Sequence, residues 1–519
     1  MPGAGGYQRV MSGRAGRDLG SLQGPPLQEG RSVAIMNKGF AAGVRLVSIT
    51  TLAATYVAGS TASAQSAIDS VIGQSERMDR SANPSRIEPG SVDQWEADNL
   101  DTPTSPQQRG APAVTTAVTQ PVVQPVPVRE PVMAWQLADA RALLATIEGI
   151  ASEGLIPADY NPEGLRAAIA GGAGDALDQV ASKSFAWLIE DLRDGRTPMT
   201  ARVQWFAVDP DQDDMPTETI MAESLAMHDV PGVVAKLAPT VPDYAALKEK
   251  LALTPASDSK TRNLVRANMD RWRWLRQDLG KVYLLTNVPE FQLRLTVNNK
   301  IIRTYKTVVG KPGRTATPQL AETVSAVVFN PTWTVPQSIV KGEGLGAKVL
   351  NNPNWARNNG YRATRAENGF VTVVQQPGEN NSLGLVKIDM PNPHAIYLHD
   401  TPSKQYFNHE VRAYSHGCIR TERAVELGMT MAILGAQKSA DEVRQISDSR
   451  KYTKVEMTRT FPVYLTYFTI ARSIDGELQT FGDIYGRDKP VLASFQAPRE
   501  AKTTQRASNE EIIELDNPL

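Results

Sequence analysis

This 519-residue chain has one cysteine, five histidines, no excess of charge of either sign and no apolar run of membrane-spanning length. A single cysteine cannot close an intramolecular disulfide, so Cys418 is not a staple. With 55 basic against 56 acidic side chains, the formal net charge of -1 supplies no long-range field for wrapping nucleic acid or lying on an anionic bilayer. The most apolar N-terminal run, Leu46 to Ala58, is 13 residues diluted by Ser and Thr, whereas a spanning helix needs ~20 apolar residues. What the chain does have is length, enough for about three domains and a sizeable core. Its 38 Gly and 35 Pro suggest that part of it is linker.

The N-terminal third reads as addressing and spacing. Lys38 and Arg45 flank the start of the short apolar run, which leads to Ala62-Ser63-Ala64, the pattern of a Sec signal peptide cleaved after Ala64. Export to the periplasm is therefore expected, with the membrane touched only transiently through residues 36–64. Met36 reads as the better start, which makes residues 1–35 an upstream extension. No cysteine lies near the cleavage point, so no lipoprotein acyl anchor is expected. Residues 65–134 form a linker, and seven prolines between Thr102 and Pro131 make it an extended tether. Residues 491–519 read as a disordered acidic tail ending in Glu510, Glu511, Glu514 and Asp516.

Two blocks of different period lie between these ends. In residues 135–270, Leu137, Ala140, Leu144, Ile147 and Ile150 recur at helical spacing, as do Leu177, Val180, Ser184, Leu188 and Leu192. Asn161-Pro162 suits a helix start, and Gly195 suits a helix end. His228 is the only histidine there, so the block is expected to be a helical scaffold. In residues 271–490 the period shortens. Lys281 to Asn287, Phe291 to Val297 and Ile301 to Val309 read as an antiparallel meander, followed by strands at Val324 to Asn330, Phe370 to Gln375, Ala395 to His399, Lys454 to Thr458 and Val463 to Arg472. One helix, about Glu422 to Gly435, interrupts them. The fold class is α+β: a helical scaffold followed by a mainly antiparallel β domain.

Several familiar motifs fail on context. Gly342, Gly344 and Ala347 match a dinucleotide fingerprint but lie outside any βαβ unit. Lys311 lacks the flanking residues of a phosphate loop. His409-Glu410 lacks the second histidine of a zinc protease, since position 413 is Ala.

The chemistry concentrates in His394 to Arg420, which holds four of the five histidines and the only cysteine. Zinc ligation by His399, His416 and Cys418 lacks the paired short spacings of zinc sites. A thiolate nucleophile with an imidazole base fits better, because a thiol of pKa near ~8.5 needs a neighbouring base, dipole or cation. Gly417 lets the backbone approach a substrate, and N–H groups around Cys418 could cradle an oxyanion. Arg420 adds positive charge. Tyr397 and His399, two apart on a strand, share a face. These residues alone leave both His399 and His416 open as the base.

The arrangement His399, fifteen residues, then Ser415-His416-Gly417-Cys418-Ile419-Arg420 resembles the signature of the L,D-transpeptidases, the YkuD-type catalytic domain of bacterial cell-wall enzymes. The likeness extends through Asn330-Pro331-Thr332-Trp333-Thr334-Val335-Pro336 and Pro391-Asn392-Pro393, and covers roughly residues 135 to 490, as in the large periplasmic branch with a helical scaffold. The resemblance implies a YkuD-type β-sandwich with Cys418 as nucleophile and His399 as proton acceptor and donor. It implies the Asp400 backbone as orienting acceptor for the imidazole, with His416, Gly417 and Tyr397 in oxyanion or orienting roles, and Ser415, Arg420 and Trp333 against substrate. It implies peptidoglycan stem peptides as substrates, a 3→3 cross-link as product, a carbapenem adduct at Cys418, and no metal or other cofactor. Hydrolysis by an L,D-carboxypeptidase and a non-catalytic wall-binding scaffold are the alternatives. Two departures stand out: no peptidoglycan-binding module is recognisable between Gln204 and Arg271, and the lid-like stretch from Lys341 to Gly369 reads as short.

Overall fold

The computed structural model describes residues 131–207 and 214–502, all within one compact unit. The expected extension, signal peptide, most of the linker and the acidic end of the tail lie outside the described residues.

The helical block follows its period. The helices Leu137–Gly149 and Asp175–Asp194 bury Leu143, Ile147, Leu177, Leu188 and Leu192 in one core with Trp135 and Phe185. Asn161 caps Pro162–Gly171, its side chain accepting the Gly164 N–H at 3.2 Å. Gly195, at φ 85°, closes the long helix through its N–H to Asp191. Four further helices follow, Thr217–Met227, Val230–Leu237, Pro242–Leu253 and Ser259–Trp272.

The β half is built from β1 (Val282–Asn287), β2 (Gln292–Val297), β3 (Lys300–Gly310), β4 (Leu320–Phe329), β5 (Trp333–Thr334), β6 (Tyr361–Arg365), β7 (Val371–Gln375), β8 (Val386–Asp389), β9 (Leu398–His399), β10 (Ala413–Ser415), β11 (Ile419–Thr421), β12 (Thr453–Thr466), β13 (Ile470–Arg472) and β14 (Leu478–Thr480). The main sheet runs β10-β3-β11-β9-β8-β4-β12-β1-β2, and a β2–β3 pairing closes it on itself. Most pairings are antiparallel, as expected, but β1–β12, β9–β11 and β3–β10 are parallel. Helix Ala424–Ala436 packs into the core of this circuit with Val327, Val386, Leu398, Ile419 and Val463. Gly428 is required there, since a Cβ would lie 2.7 Å from Val386. The single helix expected in this half is joined by Ala440–Asp448, Leu345–Asn351, Pro353–Asn358 and Asp488–Ser494.

Strand alternation fastens the two halves. On β1, Leu284 faces the sheet core, while Tyr283 and Leu285 face Trp272, Trp274, Leu275 and Tyr244 from the scaffold side. Trp272 stacks on Phe468 with ring centroids 4.3 Å apart. Asp270, fully buried between the halves, accepts the Arg196 N–H at 2.6 Å, the Thr197 N–H at 3.0 Å and the Trp274 indole at 3.0 Å. Asp270→Asn sets an amide N–H₂ against these donors. It should destabilise the protein by about 2 kcal/mol, read as a lower urea midpoint at unchanged slope.

Two expectations are corrected. The start of the supposed disordered tail is ordered: Arg499 reaches Glu190 at 2.6 Å and Asp191 at 3.2 Å over the Trp187 ring, and Lys502 bonds the Gly195 carbonyl. Basic residues facing the scaffold carboxylates explain the docking. The lid-like stretch, read as short, is part of a larger folded unit. Strands β5-β7-β6 and the helices Leu345–Asn351 and Pro353–Asn358 enclose their own core of Trp333, Ile339, Leu345, Val349, Tyr361 and Val373.

Candidate active site

Register places the reactive groups. β11 pairs in parallel with β9, Ile419 beside Leu398 and Arg420 beside His399. Ile419 and Leu398 are fully buried in the sheet core, so alternation turns Cys418, Arg420, Tyr397 and His399 to the opposite face. β8 runs antiparallel along the other edge of β9 and sets Lys387 beside His399. The Tyr397 and His399 rings meet edge-on at 5.5 Å. Residues 395–397, expected as strand, are irregular, and Ala395 has φ 53°. Asn392 holds that loop: its Oδ1 accepts the N–H groups of His394 and Ile396, both at 3.1 Å, and its Nδ2 donates to the Ile396 carbonyl at 2.7 Å.

Hydroxyls shape the turn before Cys418. Ser415 Oγ accepts the Gly417 N–H at 3.2 Å and donates to the Cys418 carbonyl at 2.5 Å. Thr317 Oγ1 donates to the Gly417 carbonyl at 2.8 Å and accepts the Gly310 N–H at 2.9 Å. Gly417 has φ 116°, and an added Cβ would lie 3.1 Å from Ile396. Both conformation and space demand glycine. Cys418 Sγ lies 3.5 Å from the Ala395 carbonyl, and the neighbouring backbone N–H and phenol of Tyr397 favour its thiolate.

His399 is buried, and its Nδ1 lies 2.5 Å from the Asp400 carbonyl. That contact assigns the proton to Nδ1 and leaves the Nε2 lone pair as the basic site. Burial, then the Arg420 charge, push the imidazole down to about 3, against the raising effect of the Asp400 hydrogen bond. Burial pushes the Cys418 thiol up, opposed by the Tyr397 N–H, Lys387, the Tyr397 phenol and Arg420. The resting pair is a neutral thiol and a neutral imidazole. The Asp400 carboxylate is held by the Leu385 N–H at 2.9 Å and by the Lys404 ammonium.

The other expected site residues fall in different places. His416 reaches Glu343 of the lid-like stretch, at 3.3 Å. The Gly417 N–H, expected to face an oxyanion, is already held by Ser415. Of the residues expected to touch substrate, Ser415 is buried in the turn and Trp333 is buried in the core of the 333–375 subdomain. Arg420 keeps its charge on the site face with Tyr406 beneath it. Lys387 and Thr317 were missed; nothing local distinguishes them, and only register reveals them. Among the described residues no cluster of three or more His, Cys, Asp or Glu is placed to hold a metal ion.

Residues 281–428 match the family model of the L,D-transpeptidase (YkuD) catalytic domain, and residues 129–251 match that of the scaffold domain. A putative L,D-transpeptidase from Haemophilus influenzae is 30% identical over 225 residues, 40% of this chain and 45% of the relative. The chain thus spans less than half the length of that curated relative. Among solved structures, an L,D-transpeptidase from Mycobacterium smegmatis is 14% identical at a TM-score of 0.19, covering 36% of this chain and 58% of that one. LD transpeptidase LdtMt1 in complex with imipenem is 14% identical at a TM-score of 0.18, covering 36% and 59%. At those scores the superpositions carry no weight, and the assignment rests on the two domain models and the curated relative. The chain thus carries a YkuD-type L,D-transpeptidase catalytic domain preceded by a scaffold domain.

Proposed function

We propose that this protein is a periplasmic, cysteine-dependent L,D-transpeptidase that forms 3→3 peptidoglycan cross-links. The observation that carries the reading is one sheet face bearing the only thiol of the chain two residues from Arg420, which the register pairs with a neutral imidazole whose Nδ1 is fixed on Asp400. In the first half-reaction the thiol proton passes to His399 Nε2 as Cys418 Sγ attacks the carbonyl of the third residue of a tetrapeptide stem. Collapse of the tetrahedral adduct breaks the amide bond, the leaving D-alanine amine takes the proton from His399, and a thioester remains. In the second half, the side-chain amine of a neighbouring stem attacks the thioester, gives its proton to His399, and Cys418 leaves as the thiol. Water in place of the amine would give an L,D-carboxypeptidase. The same acyl chemistry makes the strained ring of a carbapenem a covalent ligand of Cys418. A silent wall-binding scaffold would leave substrate untouched.

Incubation of the purified protein with tetrapeptide muropeptides, followed by mass spectrometry, tests the reading. Cross-linked dimer lacking one D-alanine is expected. Tripeptide monomer alone would establish the hydrolase instead, and unchanged substrate would reject both.

A further inference from the structure

Lys387 takes no part in those proton transfers, yet it is built into the site. β8 places it beside His399, its ammonium lies 4.4 Å from the centroid of the Tyr397 ring, and Asp389 anchors it at 2.8 Å. Its side chain is only 14% exposed. Tyr397 in turn lies beside the nucleophile: its carbonyl accepts the Ile419 N–H at 3.1 Å, and its backbone N–H and phenol favour the Cys418 thiolate. A cation over an aromatic face is held by the ring quadrupole and withdraws electron density from it, which strengthens the phenol as a donor.

We propose that Lys387 is a positioning residue of the acyl transfer: clamped by Asp389 over Tyr397, it holds and polarises the phenol beside Cys418, and so stabilises negative charge on the sulfur. This rests on Cys418 as the nucleophile. Charge builds on that sulfur twice in the cycle, when the thiol is deprotonated and when the thioester is broken. The other charged or titratable groups around it are Arg420 on β11, His399 on β9, the His416–Glu343 pair between the turn and the lid, and the Lys404–Asp400 pair beyond β9. Burial disfavours the thiolate, and Lys387 opposes that more than Arg420 does.

The chain has one cysteine, so alkylation by iodoacetamide reads Cys418 alone. Full-length protein is alkylated across a pH series. Lys387→Met should raise the midpoint of the rate profile by about one pH unit. It should slow alkylation at neutral pH about threefold, because the smaller thiolate fraction is partly offset by higher intrinsic nucleophilicity. Lys387→Arg should restore the wild-type profile. Asp389→Asn, which removes the counter-charge, should move the midpoint down with the wild-type circular dichroism spectrum retained; the rise in Lys387→Met is the direction that loss of folding does not mimic, since unfolding relieves the burial that pushes the thiol up. In a Tyr397→Phe background, Lys387→Met should add less than half of its original shift. An unchanged profile in Lys387→Met, an upward shift in Asp389→Asn, or a full shift persisting without the phenol overturns the proposal. Alkylation reports on the thiol and not on transfer, so an inactive protein in the muropeptide assay leaves this test intact.

Discussion

Cys418→Ala should abolish conversion of tetrapeptide muropeptides, a fall of at least about 10³-fold, because no other side chain at the site can form an acyl-enzyme. The variant should fold. The thiol contributes one contact to the Ala395 carbonyl, and its loss leaves the turn held by Ser415 and Thr317. Intact mass after carbapenem treatment gives an independent reading: wild type should gain one adduct and Cys418→Ala none. A variant keeping more than about a tenth of wild-type turnover would reject Cys418 as nucleophile.

His399→Gln should lower turnover by roughly 10²–10⁴-fold, the range for loss of a positioned acid–base group, with little change in KM. The pH dependence is sharper than the magnitude. With the folded imidazole near about 3, against 6.5 for an ordinary histidine, the base is already neutral in mildly acidic solution. The rate should therefore show no acid limb centred near 6.5; such a limb, absent from His399→Gln, would contradict the buried neutral imidazole. Stability carries the complementary signal. As pH falls from about 6.5 towards about 3, the unfolded chain takes up the His399 proton and the folded protein does not. Stability is then lost by about 1.4 kcal/mol per pH unit inside that window, and His399→Gln removes that component.

The parts of the fold legible in the sequence were those in which local pattern and final environment agree. The helices Leu137–Gly149 and Asp175–Asp194 bury the stripe that their spacing displays. Cys418 and His399 were legible because their chemistry is concentrated in one segment. The lid was not, because its elements are shorter than the helical and strand periods need to declare themselves. Its core joins Trp333 to Val373 through long-range contacts. Lys387 alternates with Ile388 like any residue of a half-exposed strand; only the pairing of β8 with β9 turns it into part of the site. Ser415 looked like a substrate contact because it lies beside the nucleophile. The turn instead spends its hydroxyl on two backbone groups.

The two-faced burial of β1 bears on how this protein can be divided. A strand with Leu284 in one core and Tyr283 and Leu285 in another belongs to both halves at once, and the chain crosses back when Arg499 and Lys502 return to Glu190 and Asp191. The matched segments end at 251 and resume at 281, but that gap is no seam. A cut on the strand side of Trp274 takes away the Trp272 ring that stacks on Phe468, and one on the helix side takes away Tyr244 and Leu247 from the same core, so in shuffling or recombination the scaffold has to be inherited with the catalytic half.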